Sequence, residues 1–289
     1  MFEFAISILE AELSQFRDKL FVAFDIESTG FQPVQNRMIE LSAVKFTGDG
    51  QVLGEFDELI DPGIPIPEGA SKVNHIYDED VRGKPKASEI LKKFANFLSD
   101  DSILIAHNSE FDVKFVGSEF SLEDLNLPDN EVWDSLPMAR EYVKNIMNHK
   151  METLVHHFGF KAEGFHRALV DSYHVMHLFL HFVNEGRSFD EIRQVASPRR
   201  FNLATQMFQV QLPLPLMALK KSLKTGYKLK FTYEMDHGDH EELEVEPHVL
   251  YRGDKFNFLY ATQDSKEFPG SFRLDRLSKP KVIAPISKR

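Results

Sequence analysis

The sequence predicts an α/β chain: a domain built on a mixed sheet, followed by a small all-β barrel. Two observations carry that expectation. Apolar strand-like runs open the chain, and helical runs interleave with further strands afterwards. Beyond Leu214 the pattern changes to short alternating strands separated by Gly- and Pro-containing turns.

Taken in order, Met1 to Leu20 holds four acids (Glu3, Glu10, Glu12 and Asp18) and no basic n-region, so residues 1–19 read as an amphipathic helix rather than a signal peptide. Phe21 to Gly30 is an apolar run ended by glycine, a buried strand. Met38–Phe46 and Val52–Ile60 are two more strands, with Gly48-Asp49-Gly50 as the hairpin turn between them. Three antiparallel strands therefore open the domain. Asp61 to Pro67, with three prolines, breaks regular structure. Ala87–Leu98 is helical and leads into the strand Ile103–Ala106. A helix then starts with Asp112 in its first turn. A short strand ends at Trp133, and helices follow over Leu136–Val143, Met151–Phe158 and Arg167–Val183. Residues 20–185 form the first domain and 186–213 a connector, because Ser197-Pro198 and Gln211-Leu-Pro-Leu-Pro215 oppose a continuous helix. Residues 214–289 form the second domain: a helix over Leu214–Lys224, then strands Lys228–Tyr233, Leu243–Glu246, Phe256–Thr262 and Ser271–Leu274.

With 42% hydrophobic residues and 26 Phe, the chain has material for real cores. It contains no cysteine, which excludes a disulfide framework and thiolate metal sites. No apolar run reaches membrane-spanning length, and a cytoplasmic location is expected. The net charge of −11 is uneven: −14 up to Pro213 and +3 from Leu214 onward. An acidic first domain has weak general affinity for polyanions unless bound cations offset it.

Five residues carry the chemistry. In Phe21-Val-Ala-Phe-Asp-Ile-Glu-Ser-Thr-Gly30, Asp25 and Glu27 are two apart on a strand and project from one face. Paired carboxylates repel, and a hard divalent cation such as magnesium or manganese resolves the repulsion. Asp112 follows a second apolar strand in His107-Asn-Ser-Glu-Phe-Asp112. His166 and Asp171 fall at the start of a helix in Phe165-His-Arg-Ala-Leu-Val-Asp171. A histidine beside metal-bound carboxylates can take a proton from water near neutral pH. Asp134 reads as a helix N-cap. His156 and His157 have no partner pattern. His174, His177 and His181 share a helical face and are expected to be surface or interface histidines rather than a zinc site.

On these motifs, Asp25-Ile-Glu-Ser-Thr-Gly30, His107-Asn-Ser-Glu-Phe-Asp112 and His166-Arg-Ala-Leu-Val-Asp171, the chain resembles the DEDD exonuclease superfamily, in the subgroup whose last motif carries histidine. It is similar to bacterial polymerase III proofreading subunits and ribonuclease T over roughly Leu20 to Val183. The resemblance implies a ribonuclease H-like fold and hydrolysis from the 3′ end. It implies two Mg2+ or Mn2+ ions on Asp25, Glu27, Asp112 and Asp171, with His166 as base. It also implies substrate contacts from Thr29, Gly30, Phe31, His107, Asn108 and Phe111. Phe31 stands where the family often has leucine and could stack on a base. His75 stands where glycine is usual. The implied partner is a single-stranded or 3′-ended nucleic acid, DNA in preference to RNA.

The second domain resembles the WYL domain, an Sm/SH3-like barrel, through Tyr227–Tyr233, Glu246–Tyr251, Phe256–Tyr260 and Phe272–Leu277. The namesake Trp-Tyr-Leu reads Asn257-Phe258-Leu259, and Gly270 replaces a usual arginine. Arg252, Arg273 and Arg276 are candidates for binding phosphate or a nucleotide. Two other readings stand beside the exonuclease: a nucleic-acid-binding or ligand-sensing regulator working through the barrel, and a polymerase-associated proofreading subunit.

Overall fold

The computed structural model describes residues 14–161, 166–201, 208–253 and 255–286. The chain divides into two compact units, Met1–Ala204 and Thr205–Arg289. Of the helix expected over 1–19, residues 14–17 are helical and 1–13 lie outside the described residues.

The first unit is built on a six-stranded mixed sheet in the order β3-β2-β1-β4-β5-β6. Strands β1 (Leu20–Ser28), β2 (Met38–Thr47) and β3 (Val52–Leu59) form the expected antiparallel meander. Strands β4 (Ile103–Ala106) and β5 (Glu131–Asp134) add in parallel, and the two-residue β6 (Arg199–Arg200) closes the far edge antiparallel to β5.

Alternation along β1 places its side chains on two faces. Phe21 and Ala23 join Val44, Phe46, Ile105 and Trp133 under helix α7 (Ala168–Asn184), with Phe179 at 4.7 Å from the Phe21 ring. Val22, Phe24 and Ile26 join Leu41, Leu104 and Val132 on the other face, beneath α3 (Ala87–Phe97) and α4 (Glu110–Leu122). Asp25 and Glu27 continue the Phe21–Ala23 face, so the apolar stripe becomes acidic at the end of β1. Helices α5 (Ser135–Tyr142) and α6 (Met151–Phe158) also cover that face.

Four short elements of the first unit escaped the sequence reading. Helices α1 (Glu68–Asn74) and α2 (Asp78–Val81) follow the proline-rich loop. The expected connector 186–213 is corrected at its start. Ser188 caps helix α8 (Phe189–Val195), β6 pairs with β5, and Phe201 is fully buried, so these residues belong to the first unit.

The second unit is a five-stranded antiparallel sheet in the order β10-β9-β8-β7-β11. A 3-10 turn (Leu214–Leu216) and helix α9 (Met217–Thr225) precede β7 (Tyr227–Glu234), β8 (His240–Arg252), β9 (Asn257–Gln263), β10 (Gly270–Arg273) and β11 (Leu277–Pro285). Strand β8 runs through Pro247, where the reading from sequence stopped, because a register shift between Pro247 and Val249 absorbs the missing N–H. Strand β11 carries Pro280 and Pro285, which only an edge tolerates, and it was not expected.

Candidate active site

The parallel strands β1 and β4 end at the same side of the sheet, and the expected residues gather there. A cleft of ≈340 Å³ is lined by Asp25, Glu27, His107, Asn108, Phe111, Asp112, His166 and Asp171, together with Ile26, Lys150, Met151, Glu152 and Val175. Among the described residues, one ligand atom each from Glu27, His166 and Asp171 lies within 4.8 Å of the others. All five chemistry-bearing residues thus line one cleft.

Each motif is held in place by hydrogen bonds, most of them from polar groups outside the five residues. β1 pairs with β4 only over Phe21–Ala23. Beyond that, the buried Asp112 carboxylate accepts a backbone hydrogen bond from Ile26, tying α4 to the free edge of β1. Glu27 has a hydrogen bond from the Asn74 amide, and Asn74 also donates to the Ser28 carbonyl at 3.3 Å. Asp134 is the expected N-cap of α5, accepting from the Leu136 N–H at 2.9 Å. It also accepts from the backbone N–H groups of Asn108 (2.9 Å) and Ser109 (3.1 Å), which fixes the turn from β4 into α4. Asn108 is left-handed there (φ 63°), a conformation Asn tolerates.

The third motif is held by Glu40, which sits opposite Glu27 on β2 and is fully buried. Glu40 accepts from Arg167 Nε at 3.0 Å and Nη2 at 2.6 Å, and from the Ala168 N–H at 2.9 Å. The His166 N–H donates to Asp171 Oδ2 at 3.0 Å. His166 itself is exposed and left-handed (φ 64°). His174 corrects the expectation of a surface histidine. It is buried, with Nδ1 at 3.3 Å from Asp171 Oδ1 and Nε2 at 3.1 Å from the Lys161 carbonyl. His177 is exposed and His181 partly so.

Burial and mutual repulsion dominate the electrostatics. Burial first, then Asp112, Asp171, Glu27 and Glu40, pushes Asp25 well above the usual carboxylate range. Burial, then Glu40, Asp171 and Asp112, raises Glu27 to about 8. Burial also raises Asp112 to about 8 against its backbone hydrogen bonds. This is a set of hard oxygen donors crowded past what protons alone comfortably balance, and the donor set fits divalent cations.

Of the expected substrate residues, His107, Asn108 and Phe111 line the cleft. Both His107 nitrogens have protein partners: Ser135 Oγ at 2.9 Å and the His149 carbonyl at 2.8 Å. Its ring is thereby spent on holding the segment before α6. Thr29 is buried and bonded to Arg37 through both its N–H and its hydroxyl, which shapes the turn after β1. A Cβ on Gly30 would meet the Asn36 side-chain amide (Oδ1 at 2.7 Å), which would have to move aside. Phe31 is 82% exposed, the one large apolar side chain of that turn left in solvent. In the second unit, Arg273 stacks over Phe256 (3.5 Å) and pairs with Asp275. Arg276 pairs with Asp236, and Arg252 reaches the Gln209 carbonyl at 3.4 Å.

Glu40 and the Arg167 clamp were missed from sequence. Only strand register places Glu40 opposite Glu27, whereas Arg167 and His174 lay at readable offsets, one after His166 and three after Asp171.

Residues 22–179 match the exonuclease family, and residues 216–282 match the WYL domain family. The chain is 31% identical over 233 residues to the PolC-type DNA polymerase III of Pediococcus pentosaceus, covering 78% of this chain and 16% of that protein. It therefore spans about a sixth of the length of that relative. Exonuclease X, solved in complex with 5′-overhanging duplex DNA, superposes with a TM-score of 0.50 at 20% identity, covering 61% of this chain and 99% of that one. The zinc-bound Escherichia coli exonuclease I complex with single-stranded DNA superposes with a TM-score of 0.56 at 16% identity, over 84% of this chain and 54% of that one.

Proposed function

This chain belongs to the exonuclease family, and we propose that it is a metal-dependent 3′–5′ exonuclease that releases nucleoside monophosphates from DNA. The observation that carries the reading is the convergence of Asp25, Glu27, Asp112, His166 and Asp171 from three separate segments into one cleft. The regulator reading gives no reason for those carboxylates to be crowded together uncompensated. DNA is favoured over RNA because the PolC-type relatives are DNA polymerases and the neighbouring exonucleases X and I were solved with DNA.

Asp25, Glu27, Asp112 and Asp171 would hold two divalent cations, magnesium or manganese by oxygen-donor preference. Bound there, such ions lower the pKa of water and offset charge on the scissile phosphate and the departing 3′ oxygen. His166, exposed at the rim, accepts the proton of the attacking water. The Glu40–Arg167 clamp and the His166 N–H bond to Asp171 hold the imidazole beside the carboxylates. Asn108 and Phe111 line the space for the terminal nucleotide, and Phe31 offers a face for base stacking.

End-labelled single- and double-stranded DNA and RNA, incubated with Mn2+, test the reading. Stepwise shortening from the 3′ end with mononucleotide release is expected. Internal cuts, release from the 5′ end, or no metal-dependent cleavage would refute it.

A further inference from the structure

A second cleft of ≈600 Å³ adjoins the catalytic one and shares His107, Asn108, Lys150 and Met151 with it. Its remaining lining is Leu136, Arg140, Asn148 and His149. In a first unit with a formal charge of −14, this lining holds two cationic side chains and no carboxylate. Both cations are exposed, and neither has a carboxylate within ion-pairing distance among the described residues. That sets them apart from Lys114, Lys144 and Arg167, each of which has an acidic partner. The Arg140 charge is close enough to His107 to oppose its protonation, behind the larger effect of burial.

The wall is prebuilt. His107 Nε2 donates to the His149 carbonyl, and His149 Nε2 bonds the Val143 carbonyl at 3.0 Å. Asn148 Oδ1 accepts from the Lys150 N–H (3.0 Å) and the Thr153 hydroxyl (2.8 Å), which turns the Asn148 amide NH2 away as a spare donor. Lys150 also stands at the N-terminus of α6, whose first amides add positive potential. Met147, next to Asn148 in the chain, is 88% exposed.

We propose that this annex, through Arg140, Lys150 and the Asn148 amide, binds backbone phosphates of the strand that remains after cleavage. The inference rests on the exonuclease reading above and deepens it. A terminal nucleotide contributes a single phosphate, the scissile one, and that phosphate lies against the carboxylate cluster. Any further phosphate belongs to the retained strand. Arg140, which lines the annex alone, therefore has only the retained strand to bind, and Lys150, on the wall the two clefts share, stands where that strand would pass from one to the other. The annex gives an acidic domain a local grip on its polyanionic substrate.

The test is fluorescence-anisotropy binding of labelled oligothymidylates to the full chain, with Ca2+ in place of the catalytic ion so that binding is read without turnover. For R140A/K150A, affinity for a pentanucleotide should fall about tenfold more than affinity for a dinucleotide. The slope of log affinity against log salt should flatten by about 1–1.5, the value for two lost single-strand phosphate contacts. R140K/K150R should recover most of the slope, which a loss of packing would not allow. An equal loss at both lengths, or an unchanged slope, overturns the proposal. Wild-type protein that shows this length dependence yet hydrolyses no nucleic acid overturns the exonuclease reading while leaving the annex as a phosphate site.

Discussion

Metal-free protein should become less stable as pH rises, and Asp112→Asn should remove part of that loss. Asp112 and Glu27 titrate near 8 in the folded chain, against ordinary values of 3.8 and 4.5. The folded state therefore binds more protons than the unfolded state between about pH 4 and pH 8, and stability falls with pH across that window. The contribution is fully present below pH 4 and lost as pH passes 8. Each pKa unit corresponds to ~1.36 kcal/mol, so either group alone can withdraw on the order of a few kcal/mol by pH 8.5. Asn keeps the size of Asp112 and can still accept the Ile26 N–H. It cannot ionise, so the metal-free variant should exceed wild type in stability at pH 8.5 and match it more closely at pH 5. Urea unfolding in EDTA at pH 5, 7 and 8.5 reads this directly. Added Mn2+ should stabilise wild type most at high pH, since cations displace the protons, and should stabilise the variant less. A metal-free wild type whose stability is flat or rising from pH 5 to 8.5, or a D112N protein weaker than wild type at pH 8.5, would refute the reasoning.

Three further outcomes are expected. His166→Ala should lower kcat by about 10²–10⁴, with partial recovery at high pH; impaired Mn2+ binding with normal turnover at saturating Mn2+ would make His166 a ligand, which its 4.8 Å grouping with Glu27 and Asp171 permits. Arg167→Ala strands the buried Glu40 with only the Ala168 N–H, and should cost about 1–3 kcal/mol in urea unfolding, less than a fully buried pair because Arg167 is 47% exposed; unchanged stability and kcat would show that the clamp does not position the motif. A chain ended at Ala204 should fold, keeping β6 and Phe201, and should cleave short oligonucleotides; identical salt slopes for it and the full chain would show that the second unit does not touch nucleic acid.

The sequence was most legible where one residue type serves one purpose. The apolar alternation of β1 and the acids at its end state both the strand and the site, because period-two geometry leaves no other face for Asp25 and Glu27. The turn from β4 into α4 was legible for the same local reason. What depends on register was not: Glu40 lies 13 positions from Glu27 and gains its meaning only from β2 pairing. His174 was misjudged because a helical face of three histidines resembles a surface pattern, while burial under Lys161 is a tertiary fact. Strand β11 and the continuation of β8 were hidden by prolines that a free edge and a register shift accommodate. The first half of the connector was hidden by Ser197-Pro198, which ends α8 without ending the domain.

The supporting residues explain how such a site survives folding. Four carboxylates that repel each other would, if free to move, relax apart by twisting β1 or fraying the first turns of α4 and α7. Each escape is blocked by a separate polar lock. Asp134 pins Asn108 and Ser109 before α4, Asn74 holds Glu27 and Ser28 at the end of β1, and Glu40 grips Arg167 and Ala168 before α7. None of these locks places a cation inside the cluster, so until divalent ions arrive it is bound protons that offset the repulsion. The same logic places Arg140 in the adjoining cleft and Lys150 on the wall the two clefts share. A cation among the carboxylates would neutralise them and weaken metal binding, whereas one in the adjoining cleft can attract the polyanion without competing for the ions that cut it.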